Sequence, residues 1–285
     1  METIIRSKTR EVIISPENPT VIIGERINPT GKKLLAASLV KRDMDRVRKL
    51  AESQLRNGAT VLDVNVGAAG VNEVEVLPMA VKAVMEVTDV PLCLDSANPD
   101  ALRAALEVYP GKALINSVNG EEAKLSAILP LVKEYGAAVI GLAMDDDGIP
   151  SGVDGRVAAA RKIIERAEAL GIPRADIVID CLALSVCSDS TAAVVTLESI
   201  RRVRQELGVN MTLGASNISF GLPDREAINE AFLAMGIAAG VNAPIVNPDS
   251  SQKIILISDL LLGHDEFAMN YMCYFREHKA ETPAS

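Results

Sequence analysis

The chain has 285 residues, 48% of them hydrophobic, a net charge of −9, no Trp and aromatics at 3%. The acidic balance and the lack of any Arg/Lys stripe exclude a phosphate-tracking nucleic-acid binder, and the core has to be aliphatic, as in buried parallel sheets. The opening residues METIIRSKTREVIISPENP hold no apolar signal core, and no run approaches the roughly 20 residues of a membrane span, so a soluble, cytoplasmic protein is expected. Taken in order, β-branched runs predict strands at 20–25, 59–65, 90–95, 112–117, 137–143, 176–181, 210–216 and 242–247. Amphipathic stretches between and after them predict helices at 43–57, 73–87, 99–108, 120–135, 154–170, 190–207, 224–239 and 250–262. Asn98 before Pro99 reads as a helix start, Gly136 and Gly171 as helix ends, and Asp249 with Ser250 as a cap.

Eight strands alternating with eight helices predict an α/β protein, a single closed (β/α)₈ TIM barrel. An open doubly wound sheet is the competing architecture, and the phosphate fingerprint that would favour it is missing after the first strand. Residues 1–19 are expected to form a short N-terminal extension outside or across the barrel bottom, and residues 20–285 the barrel with its C-terminal helices.

The strand ends carry the chemistry. They stop on Glu25, on Asp63 and Asn65, on Asp95, on Asn116, on Asp180, and on Ser216 and Asn217. In a barrel all of these converge on the C-terminal mouth, where barrel active sites sit. No His and no Lys stands among them, and no G-x-S-x-G elbow or Cys/His pair occurs. Four scattered cysteines, at 93, 181, 187 and 273, fit reduced thiols. Acidic and amide side chains suit a ligand edge rich in N–H groups. A 2-amino-4-oxo pterin offers one, since its ring N–H and exocyclic amine can donate to a single carboxylate. The same residues leave a Mg²⁺ site on Asp63, Asp95 and Asp180 open as an aldolase-type alternative.

The segments IIGERIN (22–28), LDVNVG (62–67), LCLDS (92–96), INSVN (115–119), IGLAMDDDGIP (140–150), VIDCL (178–182), LGASNIS (213–219) and INEAFLAMG (228–236) together resemble the methyltetrahydrofolate:corrinoid methyltransferases of the pterin-binding barrel superfamily. The resemblance implies a homodimeric barrel that moves a methyl group between N5 of tetrahydrofolate and the cobalt of a corrinoid on another protein. It implies Asp95, Asn116 and Asp180 as the pterin-binding set and Asn217 as the catalytic residue meeting N5. Gly214, Ser216 and Arg225 are then expected near the folate, with Glu25, Asp63 and Asn65 in the matching signatures. No metal site is expected. Cys181 stands where the family pattern has Pro, and ISFGLPDR brings Phe220 and Gly221 into a loop expected to be more polar. His264 and His278 lie in GHDEF and EHKA, outside a D-x-H-x-x-G corrinoid motif, so the cobalamin is expected on a partner protein. A dihydropteroate synthase-like enzyme, with Lys32 and Lys33 in NPTGKKLLAAS, and a non-catalytic folate-binding module are the rival readings. The acidic loop DDDGIPSG (145–152) is either a docking rim or a solvated loop.

Overall fold

The computed structural model describes residues 1–279, so residues 280–285 of the expected barrel segment lie outside the described residues. The chain opens on an antiparallel hairpin, β1 (Thr3–Arg6) and β2 (Glu11–Ile14). Then come β3 (Ile23–Ile27), β4 (Val61–Asn65), β5 (Leu92–Asp95), β6 (Leu114–Asn119), β7 (Ala138–Leu142), β8 (Ile177–Asp180), β9 (Asn210–Thr212) and β10 (Ile245–Val246). They form one parallel sheet in the order β10-β3-β4-β5-β6-β7-β8-β9. Its two ends meet. Gly214 makes a parallel bridge to Ile245. The Ala243 and Asn242 amides donate to the Met211 carbonyl at 3.1 Å, and the Ile245 amide donates to that of Leu213 at 3.1 Å. The sheet is therefore a nearly closed barrel of eight strands.

Helices cover its outside: α1 (Lys33–Val40), α2 (Asp45–Arg56), α3 (Glu73–Val87), α4 (Pro99–Val108), α5 (Glu122–Tyr135), α6 (Val153–Ala169), α7 (Ala192–Leu207), α8 (Arg225–Ala239) and α9 (Pro248–Leu262), with α10 (Met269–Lys279) following. The Asn98 side chain accepts from the Asp100 amide at 3.0 Å and caps α4. Gly136 closes α5 at φ 60°, and Gly171 follows α6 at φ 78°, both in the left-handed region that glycine enters without a Cβ penalty. The helix expected from residue 250 begins earlier. Asn247 occupies its N-cap position and Pro248 its first turn, so Asp249 is not the cap but a first-turn acid facing the helix dipole. Helices α1 and α10 lie outside the predicted set. The Leu34 and Val40 side chains of α1 are exposed, so its sequence shows no clean apolar stripe.

Strand alternation divides the core in two. Outward-facing side chains such as Leu62, Leu92, Ile115, Val139 and Ile179 pack under the helices. Inward-facing Ile23, Val61, Cys93, Leu114, Ala138 and Val178 fill the lower barrel, joined by Ile5 and Ile14 from the hairpin. The hairpin thus plugs the N-terminal end. It is pinned where the side-chain amide of Asn210 donates to Thr3 Oγ1 at 2.9 Å and to the Ile14 carbonyl at 2.8 Å. With the bottom filled by aliphatic side chains, the open end is the C-terminal mouth.

Candidate active site

The same alternation that aims Val61, Cys93, Leu114 and Val178 inward aims the residues two positions on into the upper barrel. These are Asp63, Asp95, Asn116 and Asp180, with Asn65 one step higher on β4. Register places Asn65 opposite Asp95, and Asp95 opposite Asn116. Asp180 stands opposite Leu142 on one side and Thr212 on the other. The Asn116 side chain donates to Asp63 Oδ1 at 3.1 Å. Asn65 bonds the Asp95 carboxyl, and its own Oδ1 accepts from the Gly67 amide at 2.8 Å. Asp180 is held by backbone: Leu182 N–H donates to Oδ1 at 2.7 Å and Gly214 N–H to Oδ2 at 3.2 Å. Gly214 therefore serves this site through its amide.

These carboxyls sit in a poorly solvated place, which disfavours their charged form. Burial raises Asp95 to about 6, with the Asn65 hydrogen bond pulling the other way. Burial raises Asp180 to about 6 against the two amides that favour its charge. Asp63, only 2% exposed, is pushed well above the usual carboxylate range by burial and then by the neighbouring charge of Asp95. Burial also raises Glu25, opposed by Lys32 and Arg26.

Two recesses open on opposite sides of the mouth. One of about 170 Å³ lies over β5, β6 and β7 and is lined by Asp95, Asn116, Asn119, Lys124 and Leu142. The other, about 470 Å³, lies by β10 and β3 and includes Glu25, Ser216, Arg225, Asn229, Asn247 and Asp249. Asp63, Asn65, Asp180, Gly214 and Asn217 line neither recess.

The loop carrying Asn217 departs from its expected strand. β9 ends at Thr212, and Ala215–Ser219 forms a 3₁₀ turn that leaves Asn217 exposed at the rim. Arg225, at the start of α8, braces this turn. It donates to the Ser216 carbonyl at 2.9 Å and to Ser219 Oγ at 3.0 Å, and its guanidinium lies 5.4 Å from the Phe220 ring centre. Phe220 thus supports a cation in the loop expected to be polar.

One neighbour of the site, Glu73, escaped the sequence reading, and Lys32 entered it only through the dihydropteroate synthase-like alternative. Glu73, in the first turn of α3, accepts from Ser96 Oγ at 2.6 Å and adds negative potential at Asp95. Lys32 donates to the Arg26 carbonyl at 3.0 Å, and burial lowers its pKa beside Glu25 and Asp63. Each lies in a loop-to-helix segment whose fold-back has no local periodic signal. Among the described residues no group of three or more His, Cys, Asp or Glu side chains is placed to hold a metal ion.

Residues 24–247 match the family described as Pterin binding enzyme. The chain belongs to the pterin-binding enzyme family. This pterin-binding barrel is 30% identical over 269 residues to the methylcorrinoid:tetrahydrofolate methyltransferase of Eubacterium limosum, covering 91% of the chain and 97% of that relative. It is 33% identical to the methionine synthase of Mycobacterium leprae, over 94% of the chain but 23% of that longer protein. Dihydropteroate synthase from Yersinia pestis with a pterine-sulfa conjugate superimposes with a TM-score of 0.70 at 16% identity, over 91% of this chain and 98% of that one. The Xanthomonas albilineans dihydropteroate synthase in complex with 7,8-dihydropteroate gives 0.64 at 19%, over 91% and 98%. Those two likenesses establish the barrel fold.

Proposed function

We propose that the protein moves a methyl group between N5 of tetrahydrofolate and the cobalt of a corrinoid carried by a separate protein. The observation that carries this reading is the inward set of Asp95, Asn116 and Asp180 at the mouth of a barrel similar to a methylcorrinoid:tetrahydrofolate methyltransferase along nearly the whole of both chains. The buried carboxylates accept the pterin ring N–H and exocyclic amine, and Asn116 donates to or accepts from the ring's remaining polar atoms. Asp63 and Asn65 hold Asn116 and Asp95 in orientation. Glu25, Ser216 and Arg225 face the part of the folate that extends into the larger recess.

Asn217 works from the rim. The methyl group of methyltetrahydrofolate sits on a tertiary amine, a poor leaving group, and its departure leaves the bonding pair on N5. A donor or proton at N5 stabilises that atom. The Asn217 amide donates through its NH₂ or accepts through its oxygen, so it serves either protonation state without changing charge. A placed donor of this kind contributes about 2.7–4 kcal/mol where water is excluded. Its exposed position suits a group that must meet N5 from the side on which a protein-borne corrinoid arrives. The same groups serve both directions of transfer; the relative's name gives methylcorrinoid as donor. The family pattern also carries a homodimer, tested by whether the solution mass is twice 30.3 kDa.

Purified protein mixed with tetrahydrofolate and methylcobalamin, or with methyltetrahydrofolate and cob(I)alamin, is expected to transfer methyl, read by the cobalamin absorbance. Asn217→Ala is expected to slow this by on the order of 10²–10³-fold while retaining part of the folate affinity. Asp180→Ala acts on binding first, weakening tetrahydrofolate by about 1–3 kcal/mol in calorimetric titration. Protein that binds tetrahydrofolate tightly yet leaves both cobalamins unchanged is the non-catalytic folate module instead.

A further inference from the structure

Among the described residues, the largest fully buried polar side chain is Arg156 on α6, 1% exposed. Its Nε donates to the Pro150 carbonyl at 3.0 Å, and its Nη1 to the carbonyls of Cys181 at 2.8 Å and Leu182 at 2.7 Å and to Thr196 Oγ1 at 3.1 Å. The Thr196 hydroxyl donates in turn to the Leu182 carbonyl at 3.0 Å. No carboxylate forms an ion pair with this guanidinium among the described residues. Its charge is met in contact by backbone oxygens and at longer range by the Asp180 and Asp189 carboxylates, and a buried cation without a direct ion pair is expensive to keep. An apolar residue would fill the space at lower cost, so the arrangement calls for a reason.

Its partners supply the reason. Leu182 is a non-glycine residue at φ 62°, a conformation that is disfavoured unless the surroundings enforce it. In that conformation the Leu182 amide reaches Asp180 Oδ1 at 2.7 Å. The carbonyl of that same peptide unit, Cys181, accepts from Arg156, and the next carbonyl, Leu182, accepts from both Arg156 and Thr196. The guanidinium thus holds both peptide units that flank Leu182, the first of which donates to the Asp180 carboxyl. Through Pro150 it also grips the end of the acidic 145–152 loop on the same face, and Gly155 packs against that proline so closely that a Cβ would lie 2.6 Å from it.

We propose that Arg156 is a positioning residue: a single buried guanidinium anchors both the 145–152 rim loop and the turn that orients Asp180 toward the pterin. The pterin part rests on the functional reading above. A ligand that orders Asp180 then also orders the rim, because both strain against one anchor. Lysine in this place keeps the charge but cannot span the Pro150, Cys181 and Leu182 oxygens together.

The test is Arg156→Lys, alone and combined with Asp180→Ala, read by tetrahydrofolate titration and by hydrogen exchange on the ligand-free protein. R156K is expected to weaken tetrahydrofolate about tenfold. The loss should shrink to less than about twofold in the D180A background, where there is no carboxyl left to orient. Exchange is expected to speed up in residues 145–152 and 181–191 together, with the β4–β6 strands unchanged. Equal weakening in both backgrounds, or faster exchange in only one loop, overturns the proposal. If the wild type fails to bind tetrahydrofolate, the functional reading falls and the pterin part with it; joint loosening of the two loops then decides the shared anchor alone. Should R156K not fold, Thr196→Val, which removes one donor to the Leu182 carbonyl and leaves the charge, is read in the same way.

Discussion

At the residue scale, the mouth carboxyls set binding against stability. Asp180 titrates at about 6 in the folded protein, above the ~3.9 of an unfolded aspartate. The folded state therefore binds more protons between those values. Its stability falls as pH rises from ~4 through ~6, and the full penalty holds above that, on the order of 3 kcal/mol. Pterin binding runs the other way, since it needs the ionised acceptor. Tetrahydrofolate affinity is expected to drop about tenfold for a pH fall of one unit below 6, measured by titration at pH 5 and pH 8. In thermal unfolding without ligand, Asp180→Asn should gain on the wild type at pH 8 relative to pH 5. A Tm difference independent of pH would mean that Asp180 is not held against its charge. Asp95 adds to the same trend, because burial raises it too.

At the element scale, the hairpin and the rim turn show local sequence overruled by neighbours. The hairpin strands β1 and β2 have four residues each, and an isolated two-stranded hairpin is marginal in water. They persist because Ile5 and Ile14 are buried under the barrel and the Arg6 amide donates to the Lys112 carbonyl at 2.9 Å. Gly111 makes that approach possible: a Cβ there would lie 1.9 Å from the Arg6 carbonyl oxygen. Since backbone cannot yield as a side chain can, Gly111→Ala is expected to destabilise the fold by about 1–3 kcal/mol, read by denaturant midpoint. An unchanged midpoint would show the hairpin contact to be loose. Strand β9 is a different case. Its run NMTLGAS reads as extended up to Ser216, yet the chain turns after Gly214, because the Gly214 amide is drawn to Asp180 and the Arg225 guanidinium gathers the carbonyl and hydroxyl groups of the following turn.

At the scale of the whole molecule, closure decides access. Cys93 and Cys181 are buried and Cys187 and Cys273 exposed, and burial holds the Cys93 thiol well above its ordinary range. Native protein is expected to react with a thiol reagent at two of the four cysteines, Cys187 and Cys273. Removing residues 1–14 uncovers the lower barrel, where Cys93 sits with Val61, Leu114 and Val178, and Cys93 should then be labelled as well. Labelling of Cys93 in the intact chain at the same rate as Cys187 would mean that the hairpin leaves the bottom open.

The sequence by itself determined the alternation of strands and helices and which strand ends carry acid and amide, because both are local: period-2 and period-3.6 patterns and the polar residue that stops each run are written in adjacent positions. Given a barrel, Asp63, Asp95, Asn116 and Asp180 were thereby expected at one mouth. The tertiary structure decided the rest. The seam between Met211, Leu213 and Ile245, the plug of Ile5 and Ile14, the exposed station of Asn217 and the anchoring of Leu182 by Arg156 all join residues far apart in the chain or in unlike elements. Arg156 in GRVAAARK reads like any helix-surface cation. Only when the β8–α7 turn brings two carbonyls to the same spot does burying its charge become tolerable, and that meeting depends on the closed barrel.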